Sequence, residues 1–303
     1  MDMRNIRTFL RVVDLESFTK AAEELNYAQS TVTTQILQME RELGFSLFDR
    51  LGKKIYLSSL GREFLTYAND ISHIMLQVGI LGKSENEMTG TLRVGVLESL
   101  LFHTMLDVIQ EYNERYPNIY VEIKMGQVSE LMELLKQNQL DMIYISGNLI
   151  EDSRLHCCYL HCCYKREERI IFVTSPWHAL AVKKLAPLAD VLSYPLIVTE
   201  RSGTCYSKLS ELATAHDLEL RHFLMIDNTK AIAELLRKGV GVSFLPEYSV
   251  RRHIENGELA GVDADIEPQI YHSQILYHKS KWIAPYTEGL IAIIRKMYPE
   301  EAA

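Results

Sequence analysis

Five short polar side chains, Gln29, Ser30, Thr33, Thr34 and Gln38, recur at spacings that gather them on one side of a helix. The stretch that holds them, from Leu25 to Met39, carries no charged residue. Amides and hydroxyls of this length can donate to, and accept from, the edges of base pairs in a major groove. The other side of the same stretch presents Val32, Ile36 and Met39, an apolar stripe that seats a helix on a core. Ala22 and Leu25 belong to a helix before it, and Ala21 and Ala22 are small enough for a close crossing. Between the two, Asn26, Tyr27 and Ala28 make the corner, because Asn tolerates the left-handed backbone of a tight bend. Two helices, a corner and a polar outer face predict a helix-turn-helix that reads DNA. The plain alternative is a helical corner with a solvated face, so the flanking sequence matters.

Those flanks complete a module. Arg4–Leu15 reads as a first helix with Ile6, Phe9, Leu10 and Val13 inward, and Ser17 caps the next. Gly44 ends the reading helix, Leu47 and Phe48 turn back into the core, and Arg50 is left at the surface. Lys53 and Lys54 then lead a short alternating strand through Ile55, Tyr56 and Leu57. Three helices and a basic hairpin describe a winged helix-turn-helix, with Arg50, Lys53 and Lys54 placed for phosphates. From Ser58 a long helix carries Leu60, Phe64, Tyr67, Ile71, Ile74, Val78 and Leu81 in steps of four and three. That is a coiled-coil seam, and it predicts a dimer that presents two reading helices to two half-sites. The polar run Lys83–Gly90 ends the rod as a hinge.

A second set of chemistry-bearing residues lies in the remainder, where strand and helix patterns alternate and predict a mostly parallel α/β sheet with helices on both faces. Ser99 and Leu100 follow the first strand, Gln127 and Ser129 the second, and Thr199, Ser202, Gly203 and Thr204 follow YPLIVTE. Thr229 opens the helix after HFLMID. Each position is near a helix start, where unbonded N–H groups and the helix dipole favour an anion. Ser and Thr also cap helices for purely structural reasons, and it is their shared place at strand ends that points to a ligand. They predict a small-molecule site for a carboxylate-type metabolite. Cys157, Cys158, Cys162 and Cys163 in HCCYLHCCY are dense enough for a metal or a thiol switch. Adjacent cysteines on a strand face opposite ways, however, and buried Cys is common in cores, so no metal or cofactor is expected. No phosphate loop, nucleophile elbow or His-Glu-x-x-His occurs, and no enzyme activity is expected.

At 303 residues the chain is long enough for more than one domain, and its net charge of −8 argues against a nonspecific nucleic-acid coat. Basic and acidic side chains balance within residues 1–58, so DNA contact there must rest on a few placed groups. No stretch resembles a membrane span or a secretion signal, which predicts a cytoplasmic protein without membrane contact.

With these features in place, the chain resembles the LysR-type transcriptional regulators over essentially its full length. The carrying residues are Phe18-Thr19, Ala21-Ala22, AQSTVTTQI, Leu43-Gly44, Leu47-Phe48 with Arg50, and Leu57-Ser58 with Gly61. Looser matches are Ser175–Ala181 and Gly239–Pro246. The resemblance implies a winged helix-turn-helix at residues 1–58, a dimerising helix at 59–89 and an effector-binding domain at 90–303. That domain should resemble periplasmic solute-binding proteins, with one lobe at about 90–166 and 268–303 and the other at 167–267. It further implies homodimers or homotetramers on promoter double-stranded DNA, a small-molecule effector between the lobes, and RNA polymerase contact. Gln29, Ser30 and Thr33 would face bases, with Arg50 and Lys53 on the backbone. Many family members have Arg where this chain has Thr34, so one phosphate clamp is missing. The rival readings are an α/β solute-binding or enzymatic protein whose N-terminal helices only oligomerise, and a DNA-binding protein with no working pocket.

Overall fold

A computed structural model describes residues 2–51, 54–148, 160–278 and 283–300. They form two compact units, Met1–Gly90 and Thr91–Ala303.

The first unit begins with α1 (Met3–Leu15) and α2 (Phe18–Leu25), then α3 (Gln29–Leu43). Its short strands β1 (Phe48–Leu51) and β2 (Lys54–Leu57) pair antiparallel, and α4 (Ser59–Ile80) follows. Sequence-local chemistry accounts for the ends of these elements. Asp2, Ser17 and Ser58 cap α1, α2 and α4 through side-chain oxygens. Asn26, with φ 55°, and Gly44, with φ 78°, close α2 and α3 in the left-handed region. Three aromatic contacts organise the core: Phe9 lies 5.5 Å from Phe48 and 5.1 Å from Phe64, and Phe18 lies 5.6 Å from Phe48. Ala21, Val32, Met39 and Leu47 are fully buried around them.

Polar contacts then fix where the chain leaves α3. Glu40 Oε1 accepts from the amides of Leu47 at 2.7 Å and Phe48 at 3.3 Å, so one carboxylate holds the turn that feeds β1. Ser58 Oγ donates to the Ser46 carbonyl at 2.6 Å while accepting from the Gly61 amide at 2.8 Å. The start of α4 is thereby pressed onto the same turn.

On α4 the expected seam divides. Phe64 is buried and Ile71 packs on the unit's own core, whereas Leu60, Tyr67, Ile74, Val78 and Leu81 stay exposed. The stripe is therefore narrower than the sequence suggests, because one side of the helix is already used to close the module. At 22 residues α4 is also shorter than expected, about 33 Å at ~1.5 Å per residue. Within the polar run that follows, Glu85–Glu87 forms a 3-10 turn in which Ser84 and Glu87 cap one another.

In the second unit β3 (Gly90–Val96) leads into α5 (Glu98–Leu100), a π turn (Leu101–Met105) and α6 (Leu106–Arg115). Then come β4 (Ile119–Met125), α7 (Val128–Lys136), β5 (Met142–Gly147) and β6 (Leu160–Thr174). The chain continues with α8 (Leu188–Leu192), β7 (Leu196–Val198), α9 (Thr204–Ala215), β8 (His222–Met225) and α10 (Thr229–Arg237). It ends with β9 (Val242–Pro246), α11 (Glu247–Glu255), β10 (Ala260–Val262), β11 (Gln269–His278) and α12 (Pro285–Met297).

These strands join one sheet in the order β4-β3-β5-β11-β6-β9-β7-β8, with β10 paired to β6. The sheet is mixed, which corrects the expected mostly parallel arrangement. β3/β5, β7/β9 and β7/β8 are parallel, while every pairing of β6 and β11 is antiparallel. β6 begins inside the cysteine-rich segment, so Cys162 and Cys163 are strand residues beside β11, and Cys157 and Cys158 lie outside the described residues.

Gly61 has no room for a side chain, since a Cβ there would stand 2.0 Å from the Leu47 carbonyl oxygen. Gly61→Ala should destabilise the first unit by about 1–3 kcal/mol, the usual penalty of overpacking. Chemical denaturation of the full chain measures this, and an unchanged midpoint would remove the close approach from the argument.

Candidate functional site

Two surfaces gather the polar residues singled out by sequence, one in each unit. In the first unit, Val32, Ile36 and Met39 anchor α3 while Gln29, Ser30, Thr34 and Gln38 are exposed and Thr33 is half-buried. The outer face carries its own hydrogen bonds. Thr33 Oγ1 donates to the Gln29 carbonyl at 3.1 Å and accepts from Gln29 Nε2 at 3.0 Å. Thr34 Oγ1 donates to the Ser30 carbonyl at 2.8 Å, and Gln38 Nε2 donates to Glu42 Oε1 at 3.1 Å. Both threonine protons thus serve the helix backbone, so either hydroxyl meets a partner as an acceptor unless it rotates. The side-chain amide oxygen of Gln29, unlike its main-chain carbonyl, is open to a donor.

The helix start adds a feature that residue types alone do not convey. Ala28 occupies the N-cap and makes no side-chain cap bond, which leaves the first amides of α3 without a side-chain partner. Together with the positive end of the helix dipole, they suit a phosphate oxygen. Sequence reasoning also passed over Tyr27 in the corner and Leu37, both exposed. Leu37 follows Thr33 by one turn on the outer face, and its departure from the apolar stripe was the available signal. β1 and β2 form the predicted hairpin. Lys53 and the side chains of Arg50 and Lys54 lie outside the described residues.

In the second unit the parallel strands point their carboxyl ends at a common seam, and most of the expected residues meet there. Ser202 Oγ donates to Gln127 Oε1 at 3.3 Å, joining the start of α9 to the start of α7. Ser99 Oγ and the Tyr248 hydroxyl lie 2.9 Å apart. A Cβ on Gly147, at the end of β5, would come within 3.3 Å of Thr204 Oγ1, so the two sides approach closely. Thr229 Oγ1 donates to Glu98 Oε2 at 2.9 Å, and its amide reaches the same oxygen at 3.3 Å. Glu98 Oε1 also accepts from Asn228 Nδ2 at 3.2 Å. Gly203 caps α9 without a side-chain bond, as does Gln127 for α7, so neither helix start has its first amides covered by a capping side chain.

Other expected residues stand differently. Leu100 is fully buried in the core, so only its backbone could reach a ligand, and Thr199 is likewise buried. Ser129 is exposed on the first turn of α7. Sequence reasoning missed Glu98, Asn228, Glu200 and Tyr248. Glu98 directly precedes Ser99, and Asn228 is the true cap of α10, its Oδ1 accepting from the Ala231 amide at 2.7 Å. Tyr248 sits on α11, a helix with no clear periodic signal in sequence.

Among the described residues no group of three or more His, Cys, Asp or Glu side chains could hold a metal ion. Burial pushes the Cys163 thiol up to about 12, so it is not a thiolate at neutral pH. At the seam, burial and the hydrogen-bonded Asp227 carboxylate push Glu200 up to about 7, with Glu98 adding to the effect.

A carboxyl whose pKa is higher in the folded chain than in the unfolded one stabilises the fold fully below its ordinary range. That contribution is lost as pH rises through about 7. Glu200→Gln should therefore melt progressively higher than the parent between pH 5 and pH 8. A constant difference in melting temperature at the two pH values would overturn the assignment.

The match to known proteins spans both units. Residues 3–62 fit the bacterial regulatory helix-turn-helix protein model of the lysR family, and residues 85–299 fit the LysR substrate binding domain. The uncharacterized HTH-type transcriptional regulator YwqM of Bacillus subtilis is 30% identical over 301 residues, covering 98% of this chain and 100% of the relative. The HTH-type transcriptional activator CmpR of Synechocystis is 27% identical over 283 residues, covering 93% and 91%. Among solved structures, a full-length OxyR variant from Pseudomonas aeruginosa superposes with a TM-score of 0.74 at 18% identity, covering 97% of this chain and 95% of that one. The CcmR regulatory domain of Synechocystis, in complex with 2-PG, matches with a TM-score of 0.61 at 19% identity, covering 71% and 100%. The two family models and the full-length OxyR variant span the arrangement described above, a helical module followed by an α/β unit, and the CcmR regulatory domain matches part of the chain alone. The chain belongs to the LysR family of DNA-binding transcriptional regulators, whose substrate-binding domain takes small-molecule effectors.

Proposed function

We propose that the outer face of α3 reads an operator and that a small anionic metabolite, bound at the seam of the second unit, regulates it. Residues 1–58 serve as the reading module and 59–89 as the dimerising linker, with α4 as its helical part. Residues 90–303 serve as the effector domain, with lobes at about 90–166 with 268–303 and at 167–267. The observation that carries the DNA half is the division of α3. Its inner stripe is fully buried, and its outer face offers Gln29, Ser30, Thr33, Thr34 and Gln38 beside an uncapped start. Arg50, Lys53 and Lys54 on the hairpin contact phosphates. The exposed stripe of α4 supports self-association, which sets two reading helices on promoter DNA as a homodimer, and two dimers make the homotetramer. The effector half is supported by the polar strand ends Ser99, Gln127, Ser202, Gly203 and Thr204 around the seam, with Ser129 exposed on the first turn of α7, and by two helix starts without a side-chain cap.

The protein is read as a regulator and not an enzyme, working in the cytoplasm and contacting RNA polymerase from its operator. No helix among the described residues is long and apolar enough to cross a membrane. The family resemblance supports an effector that changes the spacing of the reading helices more than their intrinsic grip on DNA.

Fragments selected from the source genome by the purified protein supply the operator. On it, Gln29→Ala or Gln38→Ala should weaken binding by roughly 5- to 150-fold, the 1–3 kcal/mol of a good base contact. Binding to unrelated DNA at low salt should stay unchanged. Equal loss on both DNAs, or no loss, would count against α3 as the reading element. Against a panel of small carboxylates and phosphorylated acids, a binder found by calorimetry should alter the DNase footprint. A confirmed binder that leaves the footprint untouched refutes the regulatory half.

A further inference from the structure

The start of α10 is already occupied. Its cap Asn228 and first residue Thr229 present three donors, Asn228 Nδ2, the Thr229 amide and Thr229 Oγ1, and all three point at one carboxylate, that of Glu98. Glu98 stands on the far side of the seam, 130 residues earlier in the chain, where β3 turns into α5. A nine-residue helix whose N-terminus faces a ligand seam would ordinarily offer that end to an incoming anion. Here a side chain of the protein fills the place with the same chemistry an anionic effector would bring. A second contact lies on the same two elements' extensions: Lys230 Nζ sits 3.6 Å from the ring centre of Phe102. Glu98 also acts on Glu200, helping to raise its pKa, and Glu200 in turn shares a hydrogen bond with Asp227.

We propose that Glu98 is an internal competitor that clasps the two sides of the seam at the start of α10 and sets which effectors can open it. This rests on the seam being the effector site. A monoanionic ligand held by the uncapped starts of α7 and α9 leaves the clasp closed. A ligand with a second anionic group reaches the α10 donors only by displacing Glu98, and in doing so releases one side from the other. Displacement exchanges one charge-assisted set of hydrogen bonds for another, so it proceeds at little net loss, and the ligand's remaining contacts decide the outcome. Glu98 is in this sense a specificity-determining residue: it discriminates by the number of anionic groups, and it couples that number to the geometry of the unit.

Hydrogen exchange on the full-length protein without ligand tests the clasp itself. In Glu98→Ala the amide of Thr229, the one backbone donor to Glu98, should exchange about tenfold faster or more than in the parent, since a charge-assisted acceptor has been removed. Glu98→Gln keeps the shape and one acceptor and should fall between the two. Should the alanine variant fail to fold, the glutamine variant carries the test. Inorganic phosphate is the probe for competition. It should restore protection in Glu98→Ala at a concentration at least tenfold below that needed to change the parent. Equal exchange in all three proteins would overturn the clasp, and an identical phosphate response would overturn the competition. The exchange comparison involves no effector, so failure to find a regulatory metabolite leaves its outcome readable on its own.

Discussion

The antiparallel pairing of β6 with β11 is the constraint on which the second unit's function depends. Its register runs from Gln269 opposite Ile170 to His278 opposite Leu160, and on its outer sides the same strands hold β5 and β9. Two groups of parallel strands are thereby joined across a pair that belongs fully to neither. Each group sends its carboxyl ends, and the helix starts that follow them, toward a shared seam. Within the pair, buried Glu168 accepts from Ser273 Oγ at 2.9 Å with Arg166 Nε at 3.9 Å. Burial raises its pKa, and Arg166 works against that rise. A polar contact of this kind specifies one register, because sliding either strand would strand a carboxyl group in the core.

Polar groups at the seam are mostly satisfied by one another. Ser99 with Tyr248, Gln127 with Ser202, and Glu98 with Asn228 and Thr229 each tie one side to the other. An effector entering such a place exchanges hydrogen bonds instead of simply adding them, and that exchange can shift one side against the other. A pocket of apolar walls with spare donors would bind more tightly and report less.

The first unit solves a different problem, that of holding a helix rigid while leaving one face bare. Phe9, Phe18, Phe48 and Phe64 form the centre, and Glu40 and Ser58 use side-chain oxygens to fix the turn between α3 and the hairpin. α3 is held by its inner stripe together with Gln35, which accepts from Thr8 Oγ1 at 2.6 Å, and Glu40, whereas the bonds of Gln29, Thr33, Thr34 and Gln38 on the outer face are intrahelical. Closing this module also takes Phe64 and Ile71 from α4, which is why the exposed stripe there is narrower than heptad spacing implies.

Local chemistry was legible in the sequence because it acts over a few residues. The corner at Asn26, the stop at Gly44, the caps at Ser17 and Ser58, and the inner and outer faces of α3 all follow from residue type and a period of 3.6. The polar positions after the strands were legible for the same reason, since a strand end followed by a helix start is a local event. Strand direction was not, because neither β6, with its charged run Lys165–Arg169, nor the half-polar β11 carries a mark of its partner's direction, and antiparallel pairing across some hundred residues is chosen only when the whole sheet closes. Neither was the division of α4 between core and surface, which depends on what packs beside it. Least visible was Glu98: its neighbour Ser99 marks the place, but its partners Asn228 and Thr229 come from a distant helix start. Sequence determined which groups exist and how each short segment bends; the tertiary fold decided which of them meet, because contacts between remote segments are set by packing and not by periodicity.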